Sequence, residues 1–266
     1  MPRSTIMFVH GLWLSAQSWR PWQDHFEQNG WATLAPGYPG EAATIEETRA
    51  NPDAQAGHGI DDLVSHYCDA ARAVDGPVIA IGHSFGGLVA EKMLGENAVA
   101  AAIAIDPAPI KGVKPLPFAQ LRSAFPVLGN PTNKSKAQAL TAKQFRYAFG
   151  NALTPEESDA LWEQWNIPSP GRPLFEAASA NLKRNSPAKV ATDNADRGPL
   201  LIMSGTADHT VPDKVTRAAY TLYAHSEAST ELQQFEGRGH SLTIDHGWKE
   251  VADACLLWLD SKGLAG

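Results

Sequence analysis

Short apolar runs, each closed by Gly, Asp or Pro, recur along this chain and constrain its fold more than any other feature. Most of these runs are continuously apolar, a pattern typical of strands that are buried on both faces of a parallel sheet. Strands are therefore predicted at residues 5–9, 31–34, 78–81, 99–105, 200–203 and 231–235.

Helical patterns separate the predicted strands. Residues 60–74 place Leu63, Tyr67 and Ala71 on one face, and residues 248–259 show the same spacing. Strands that alternate with helices form right-handed βαβ units. The sequence therefore predicts an α/β fold with a mainly parallel sheet of about six strands, flanked by helices.

One connection is too long for a simple crossover, since about ninety residues separate Asp106 from Leu200. Capping-box pairs begin two predicted helices inside it, at residues 142–149 and 155–165, and a third helix is predicted at 174–184. We therefore predict a core domain formed by residues 1–106 and 198–266, with a helical cap, residues 107–197, inserted before the penultimate strand.

The predicted cap is rich in Phe and Trp. These rings either form a small core of the cap itself or contribute to a pocket. The second alternative is open because an insert that covers a sheet edge can also line a ligand site with some of its rings. Four aromatic residues are candidates for substrate binding: Trp13, Phe145, Trp162 and Trp165.

Charge and cysteine content limit the partners. The chain has 22 basic and 29 acidic residues, and its net charge of −7 argues against a nucleic-acid surface or an anionic membrane and favours a small neutral partner. Cys68 and Cys255 are too few for a disulfide scaffold, and no apolar stretch has the length of a signal sequence or a membrane span. We expect a cytoplasmic protein with no nucleic-acid and no membrane partner.

The strongest chemical signal is the run Gly82-His83-Ser84-Phe85-Gly86, which follows a predicted strand and precedes a helical pattern. In that context a G-x-S-x-G run forms a nucleophile elbow, a tight turn that holds Ser at its tip. The hypothesis is that Ser84 is a nucleophile, and the alternative is an ordinary glycine-rich turn.

A serine hydroxyl needs a base, and the base needs a carboxylate that orients it. In chains with such an elbow, the three residues are expected in the order Ser, acid, His along the sequence. Asp208 follows the strand predicted at 200–203, and His240 lies on a Gly-flanked loop after the last strand. Asp106, after the fourth strand, is the rival acid. Catalytic groups of open α/β sheets collect at this edge, so Ser84, Asp208 and His240 are the predicted triad.

Acyl transfer also needs hydrogen-bond donors for the oxyanion. His10-Gly11-Leu12 follows the first strand, and Phe85 follows the nucleophile. The backbone amides of Leu12 and Phe85 are the candidate donors.

The chain resembles the α/β-hydrolases at its start, at its elbow and at both later triad positions. Residues 10–19, His-Gly-Leu-Trp-Leu-Ser-Ala-Gln-Ser-Trp, are similar to the same stretch in cofactor-free haloperoxidase-like esterases and in plant methylesterases and hydroxynitrile lyases. The resemblance covers residues 1–107 and 198–264, and it implies the α/β-hydrolase fold. Ser instead of Asp at position 84 argues against haloalkane dehalogenase and epoxide hydrolase chemistry.

The sequence has no metal-ligand spacing and no phosphate-binding or dinucleotide-binding motif, so neither a metal nor a cofactor is expected. The expected function is a serine hydrolase that cleaves a carboxylic ester or lactone of a small, largely apolar substrate through an acyl-enzyme on Ser84. Two alternatives stay open. The same triad can serve C–C hydrolysis, hydroxynitrile cleavage or perhydrolysis, or the protein can be a small-molecule receptor on this fold.

Overall fold

The computed structural model describes residues 4–264. Within this range the strands are β1 (Thr5–Val9), β2 (Ala32–Leu34), β3 (Val78–His83), β4 (Ala101–Ile105), β5 (Ala137–Gln138), β6 (Ser169–Pro170), β7 (Leu200–Gly205) and β8 (Thr230–Phe235). The α-helices are α1 (Arg20–Gln28), α2 (Ile45–Ala50), α3 (Ile60–Arg72), α4 (Phe85–Gly95), α5 (Phe118–Leu128), α6 (Ala142–Ala148), α7 (Pro155–Trp165), α8 (Arg172–Ala178), α9 (Asp213–Thr221) and α10 (Trp248–Ser261). None of the helices in this range is long and apolar enough to span a bilayer.

Six strands form one parallel sheet in the order β2-β1-β3-β4-β7-β8, which confirms the predicted fold class. The four central strands are buried along their whole length, as their continuously apolar sequences require. Two of them, β3 and β7, extend past the apolar runs to His83 and Gly205, because ladder pairing continues at the carboxyl edge. That edge is where the candidate catalytic residues meet.

The sheet separates two apolar clusters. On one face, α1, the 3₁₀ turn before it and α10 cover the sheet with large rings that include Trp19, Trp22 and Trp258. The Trp22 indole donates a hydrogen bond to the Thr243 carbonyl at 2.8 Å, which satisfies its buried N–H. On the other face, α3 and α4 pack against the sheet together with residues of the long insert. Each fully buried large side chain stabilises the fold by roughly 1.5–3 kcal/mol.

The long connection between β4 and β7 is folded throughout much of its length. Two predicted helices appear as α6 and α7, and the third is α8 followed by a 3₁₀ turn at Ala180–Leu182. Its helix begins earlier than predicted because Pro173 occupies the first turn, and it ends where the Ser179 hydroxyl bonds back to the Phe175 carbonyl at 2.8 Å. Helix α5 and the two-residue ladder of β5 with β6 were not predicted.

Rings of the insert do not form a core of their own. Phe145 and Phe149 are fully buried in the same cluster as Met7 and Val9 of β1 and Leu88 of α4. The insert therefore shares the hydrophobic core of one face of the sheet.

Candidate active site

Ser84 sits at a strained turn between β3 and α4, with φ 55° and ψ −120°. A non-glycine residue in such a conformation costs about 1–3 kcal/mol, and the surrounding contacts must hold it there. Two glycines allow those contacts. A Cβ on Gly82 would lie 2.0 Å from the Gly86 carbonyl oxygen, and a Cβ on Gly86 would lie 2.0 Å from the Val9 carbonyl oxygen. The strand, the turn and the helix therefore pack closely enough to aim Ser84 away from the sheet, into a cavity.

Asp208 and His240 form a buried pair. The His240 Nδ1 lies 2.6 Å from the Asp208 Oδ2, and both side chains are fully buried. The other oxygen of Asp208, Oδ1, accepts hydrogen bonds from the backbone N–H of Thr210 at 2.6 Å and of Val211 at 2.9 Å. These bonds fix the carboxylate on the loop after β7, so that it can hold the proton on His240 Nδ1 and leave Nε2 as the basic atom.

The basic nitrogen of His240 is available for a proton. Among residues 4–264, no group forms a hydrogen bond with His240 Nε2. His83, the neighbour of Ser84, approaches the same histidine, because its Nε2–H donates to the His240 carbonyl at 2.9 Å and the two rings lie 4.7 Å apart. Burial holds the pKa of His83 well below its ordinary value, so its ring is neutral. A neutral donor next to Ser84 therefore anchors the loop that carries His240.

Asp106, the rival candidate for the acid of the triad, lies in a different environment from Asp208. Its Oδ1 accepts from the Gly205 N–H at 2.8 Å, and no described residue forms a hydrogen bond with its Oδ2. Burial, and then the charge of Asp208, raise the pKa of Asp106 well above its ordinary value. The raised pKa favours the uncharged form of Asp106, which is a poorer partner for the His240 ring than a carboxylate. Ligand atoms of His83, Asp106 and His240 lie within 4.8 Å of one another, but a cation there would compete for the histidine that Ser84 needs.

The candidate oxyanion donors flank Ser84. A Cβ on Gly11 would lie 2.8 Å from the Ser84 Cβ, so the chain leading to Leu12 passes close to the hydroxyl. Phe85 is the first residue of α4, and N–H groups of a first helical turn have no acceptor inside the helix. The next residue of the β1 loop, Trp13, has φ 67° and donates its N–H to the Ser169 hydroxyl at 2.6 Å. Ser169 thereby fixes the backbone beside Leu12.

A cluster of buried polar side chains holds the loop that follows β1. His10 Nε2 lies 3.0 Å from Glu41 Oε2, and the Tyr38 hydroxyl donates to the His10 carbonyl at 2.8 Å. Burial alone would raise the pKa of Glu41, but its contacts with His10, the Ala16 N–H and the Ser15 hydroxyl lower it. Sequence reasoning missed His83, Ser169 and Glu41 as supporting residues. Only the first lies inside a recognisable motif, and the other two are brought to the site by tertiary folding.

A cavity of about 330 Å³ opens above Ser84. Its wall is mainly apolar, and a few polar groups lie among the lining residues, Lys114, Gln120, Ser123, Asn181 and Thr210 included. Trp13, Phe85 and Val211 lie beside the serine, whereas α5, α8 and the segment before α5 form the outer wall. The volume is near the lower end of the roughly 300–1,000 Å³ that small-molecule sites occupy.

Of the four aromatic candidates, Trp13 lines this cavity and the other three do not. Phe145 is fully buried and stacks on Phe149 at 4.7 Å between ring centroids. Trp162 donates its indole N–H to the Leu140 carbonyl at 2.8 Å, and Trp165 lines a separate groove with Ala16 and Glu41. The expectation that Phe145, Trp162 and Trp165 line the acyl pocket is therefore corrected.

The insert nevertheless contacts the candidate triad. The Phe149 ring lies 4.9 Å from the His240 ring in an edge arrangement, and the Ser241 hydroxyl donates to the Phe149 carbonyl at 2.5 Å. The packing of Phe145 on Phe149 thus supports His240, and neither ring lines the cavity.

Comparisons with solved structures agree with this architecture. A monoacylglycerol lipase from Paleococcus ferrophilus is similar over 98% of this chain and 97% of that one, with 19% identity and a TM-score of 0.67. An extracellular α/β-hydrolase from a Paenibacillus species covers 96% and 98% with 17% identity and a TM-score of 0.66, and a methylesterase from Arabidopsis covers 97% and 99% with 16% identity and a TM-score of 0.65. No curated protein matches the chain in sequence.

The parallel sheet, the serine elbow and the buried Asp–His pair at one sheet edge define a hydrolase of the α/β class. A sequence model described as the alpha/beta hydrolase family matches residues 6–254. The chain belongs to this family.

Proposed function

We propose that the protein is a serine esterase that cleaves a carboxylic ester or lactone of a small, largely apolar substrate through an acyl-enzyme on Ser84. The observation that carries the proposal is the position of Ser84. It lies on a strained elbow at the floor of an apolar cavity, at the sheet edge that also holds a buried His240–Asp208 pair. The lipase and the methylesterase named above, which share the fold, support an ester as the substrate class.

In the first step the Ser84 oxygen attacks the carbonyl carbon, and its proton passes to His240 Nε2. Asp208 keeps the other ring proton on Nδ1 and stabilises the imidazolium that forms. The backbone N–H groups of Leu12 and Phe85 bind the oxyanion of the tetrahedral intermediate. His240 then returns its proton to the leaving alcohol oxygen as the carbon–oxygen bond breaks.

In the second step a water molecule attacks the acyl group on Ser84, with His240 again as the base, and the acid is released as Ser84 regains its proton. The apolar wall receives the acyl chain, because burying each further methylene is worth about 0.8 kcal/mol. Two polar lining residues, Lys114 and Gln120, are exposed and partly exposed, so their side chains stay near water.

A fluorophosphonate probe tests the nucleophile. Wild type should be labelled at Ser84 and should hydrolyse aryl esters, whereas Ser84→Ala should lose the label and lose roughly three or more powers of ten in rate. Ser123→Ala is the matched control, since this hydroxyl also lines the cavity and should be dispensable for labelling. Labelling that persists in Ser84→Ala and disappears in Ser123→Ala would refute the proposal.

A substrate series separates the proposal from its alternatives. The esterase proposal expects multiple turnovers on short and medium acyl esters or on lactones. Labelling of Ser84 with slow turnover on every ester would favour C–C hydrolysis, hydroxynitrile cleavage or perhydrolysis. A single turnover, together with thermal stabilisation by one ligand, would favour a receptor.

A further inference from the structure

Helix α5 and its surroundings expose large apolar side chains at the mouth of the cavity. Phe118 and Phe125 are 76% and 70% exposed, and Leu116, Leu121 and Leu182 are exposed as well. Leu116 and Leu121 line the cavity, and Leu182 directly follows Asn181, which also lines it and bonds to the Gly112 N–H at 2.8 Å. We call these five residues, Leu116, Phe118, Leu121, Phe125 and Leu182, the apolar rim. Scattered apolar residues are ordinary on a surface, but a cluster around a cavity mouth indicates a contact site.

The chain around the apolar rim is basic. Residues 107–155 contain seven Lys or Arg residues and no Asp or Glu, so this segment carries +7 while the remaining chain carries −14. Arg146 pairs with Asp159 of α7. The other basic side chains closest to α5 in the fold are exposed and form no ion pair with any residue in the range 4–264: Lys114, Arg122, Lys134, Lys136 and Lys143. Arg122 lies on α5 and Lys114 on the segment before it. The others lie on the Pro131–Ser135 turn, directly after it, and on α6, and this turn and α6 both pack against α5.

We infer that this basic face with its apolar rim docks on an anionic lipid surface, with Phe118 and Phe125 entering the acyl boundary. Apolar rings next to Lys and Arg side chains are the combination that binds such an interface. The net charge of the whole chain, which argued against a membrane, averages over two regions of opposite sign. A second copy of the chain is a poor occupant, because a two-fold contact through this face would oppose two surfaces of the same positive charge.

Docking would place the cavity mouth at the lipid surface. Since the buried Ser84 lines the same cavity as the exposed Leu116 and Leu121, an acyl chain could pass from the lipid layer along the mainly apolar wall to the serine. This delivery step rests on the proposed esterase function, whereas the docking itself does not. Lipid binding is therefore measured separately from catalysis.

The test is co-sedimentation of the full chain with vesicles of phosphatidylcholine alone and with vesicles that contain equal parts of phosphatidylcholine and phosphatidylglycerol. Wild type should bind the anionic vesicles at least about tenfold more tightly, since each basic residue near the surface contributes about fivefold. Phe118→Ser with Phe125→Ser, and Lys134→Glu with Lys136→Glu, should each weaken this binding by about tenfold or more. All four side chains are exposed, so melting temperatures should remain close to wild type.

The matched controls lie on α10, which covers the opposite face of the sheet. Leu257 is exposed like the rim residues, and Lys249 is an exposed base, so Leu257→Ser and Lys249→Glu should bind vesicles like wild type. Ser84→Ala should also bind like wild type, and the Phe variant should keep wild-type rates on a soluble aryl ester. A wild-type protein that docks on the vesicles but hydrolyses no ester would therefore overturn only the proposed function.

Three outcomes would overturn the docking inference. Equal binding to both kinds of vesicle, or equal loss in the rim and control variants, would show that this face does not select an anionic lipid surface. A wild-type dimer that becomes monomeric in the Phe118→Ser, Phe125→Ser variant during sedimentation velocity would identify a second copy as the occupant.

Discussion

At the scale of single residues, two carboxyl groups follow adjacent strands and lie near one histidine, yet their environments differ. Asp208 accepts two backbone N–H bonds and contacts His240 Nδ1. Asp106 is deeply buried and accepts one bond from the Gly205 N–H, and burial raises its pKa well above its ordinary value. The proposed orienting acid is therefore Asp208, the carboxyl group that follows the penultimate strand and contacts His240 Nδ1.

This assignment predicts different effects for two matched variants. Asp208→Asn should lower kcat/KM for an aryl ester by roughly 10³–10⁴-fold, because an amide at this position favours the wrong tautomer of His240. Asp106→Asn should lower it by less than about tenfold, since the raised pKa of Asp106 favours its uncharged form and Asn tolerates the φ of 43° at this position. A greater loss in Asp106→Asn than in Asp208→Asn would reverse the assignment.

At the scale of elements, some helices of the insert line the cavity and another packs into the hydrophobic core. Helices α5 and α8 form the outer cavity wall, whereas α6 contributes Phe145 to the core that supports His240 through Phe149. Specificity and stability should therefore respond to different substitutions within the same insert.

Ala177 on α8 lines the cavity, so a larger side chain should shorten it. Ala177→Leu should lower the rates for longer acyl chains by roughly tenfold relative to acetate esters, with little effect on the acetate rate, because specificity is set by such differences in pocket space. An acyl-length series on wild type and variant measures this ranking. An unchanged ranking would show that the acyl chain does not lie along α8.

Phe145→Ala is the complementary variant. Removing a fully buried, stacked ring should destabilise the protein by roughly 3–5 kcal/mol, as measured by denaturant unfolding, while the ranking of acyl lengths stays the same. A changed ranking of acyl lengths without loss of stability would show that Phe145 lines the pocket.

At the scale of the whole molecule, a buried carboxyl group connects the elbow helix to the segment after α9. Glu91 of α4 is buried, and the Tyr223 hydroxyl donates to its Oε1 at 2.8 Å. Burial raises the pKa of Glu91 from 4.5 to about 8, although the Tyr223 hydrogen bond and the charge of Arg197 oppose the shift. The folded protein therefore keeps Glu91 protonated at pH values where the unfolded chain releases that proton.

The sign of the effect follows from this difference in bound protons. Between about pH 4.5 and 8 the folded state holds one more proton at Glu91 than the unfolded state, so this group lowers the free energy of unfolding as the pH rises. Glu91→Gln keeps an acceptor for Tyr223 and removes the titration. Its stability relative to wild type should increase by about 1.4 kcal/mol for each pH unit across this range.

Urea unfolding of both proteins at several pH values between about 5 and 8 measures this slope. Glu46→Gln, a change at an exposed glutamate on α2, is the control and should show no such slope. Parallel curves for Glu91→Gln and wild type would mean that Glu91 is ionised in the folded protein.

Local patterns in the sequence determined the sheet and the elbow. Continuous apolar runs leave few alternatives to buried parallel strands, and the close approaches at Gly82 and Gly86 are possible for glycine alone, so a strand-turn-helix with Ser84 at its tip follows from neighbouring residues. The chain order also placed Asp208 and His240 at the edge where they meet. Helices α6 and α7 were found for the same reason, since α6 begins with a capping box and α7 with the Thr154 side chain as its N-cap.

Only the tertiary structure decided which contacts form between segments that are far apart in the sequence. Helix α5 was missed because Pro117 and Pro126 resemble loop signals, although Pro117 precedes the helix and Pro126 lies near its last residue, Leu128. Whether an aromatic ring faces a pocket or a core depends on the packing of α6 against the sheet, which no local pattern contains. The choice between Asp208 and Asp106 likewise depended on which backbone N–H groups reach each carboxyl group, because burial and hydrogen bonding, and not residue type, set the charge of a buried acid.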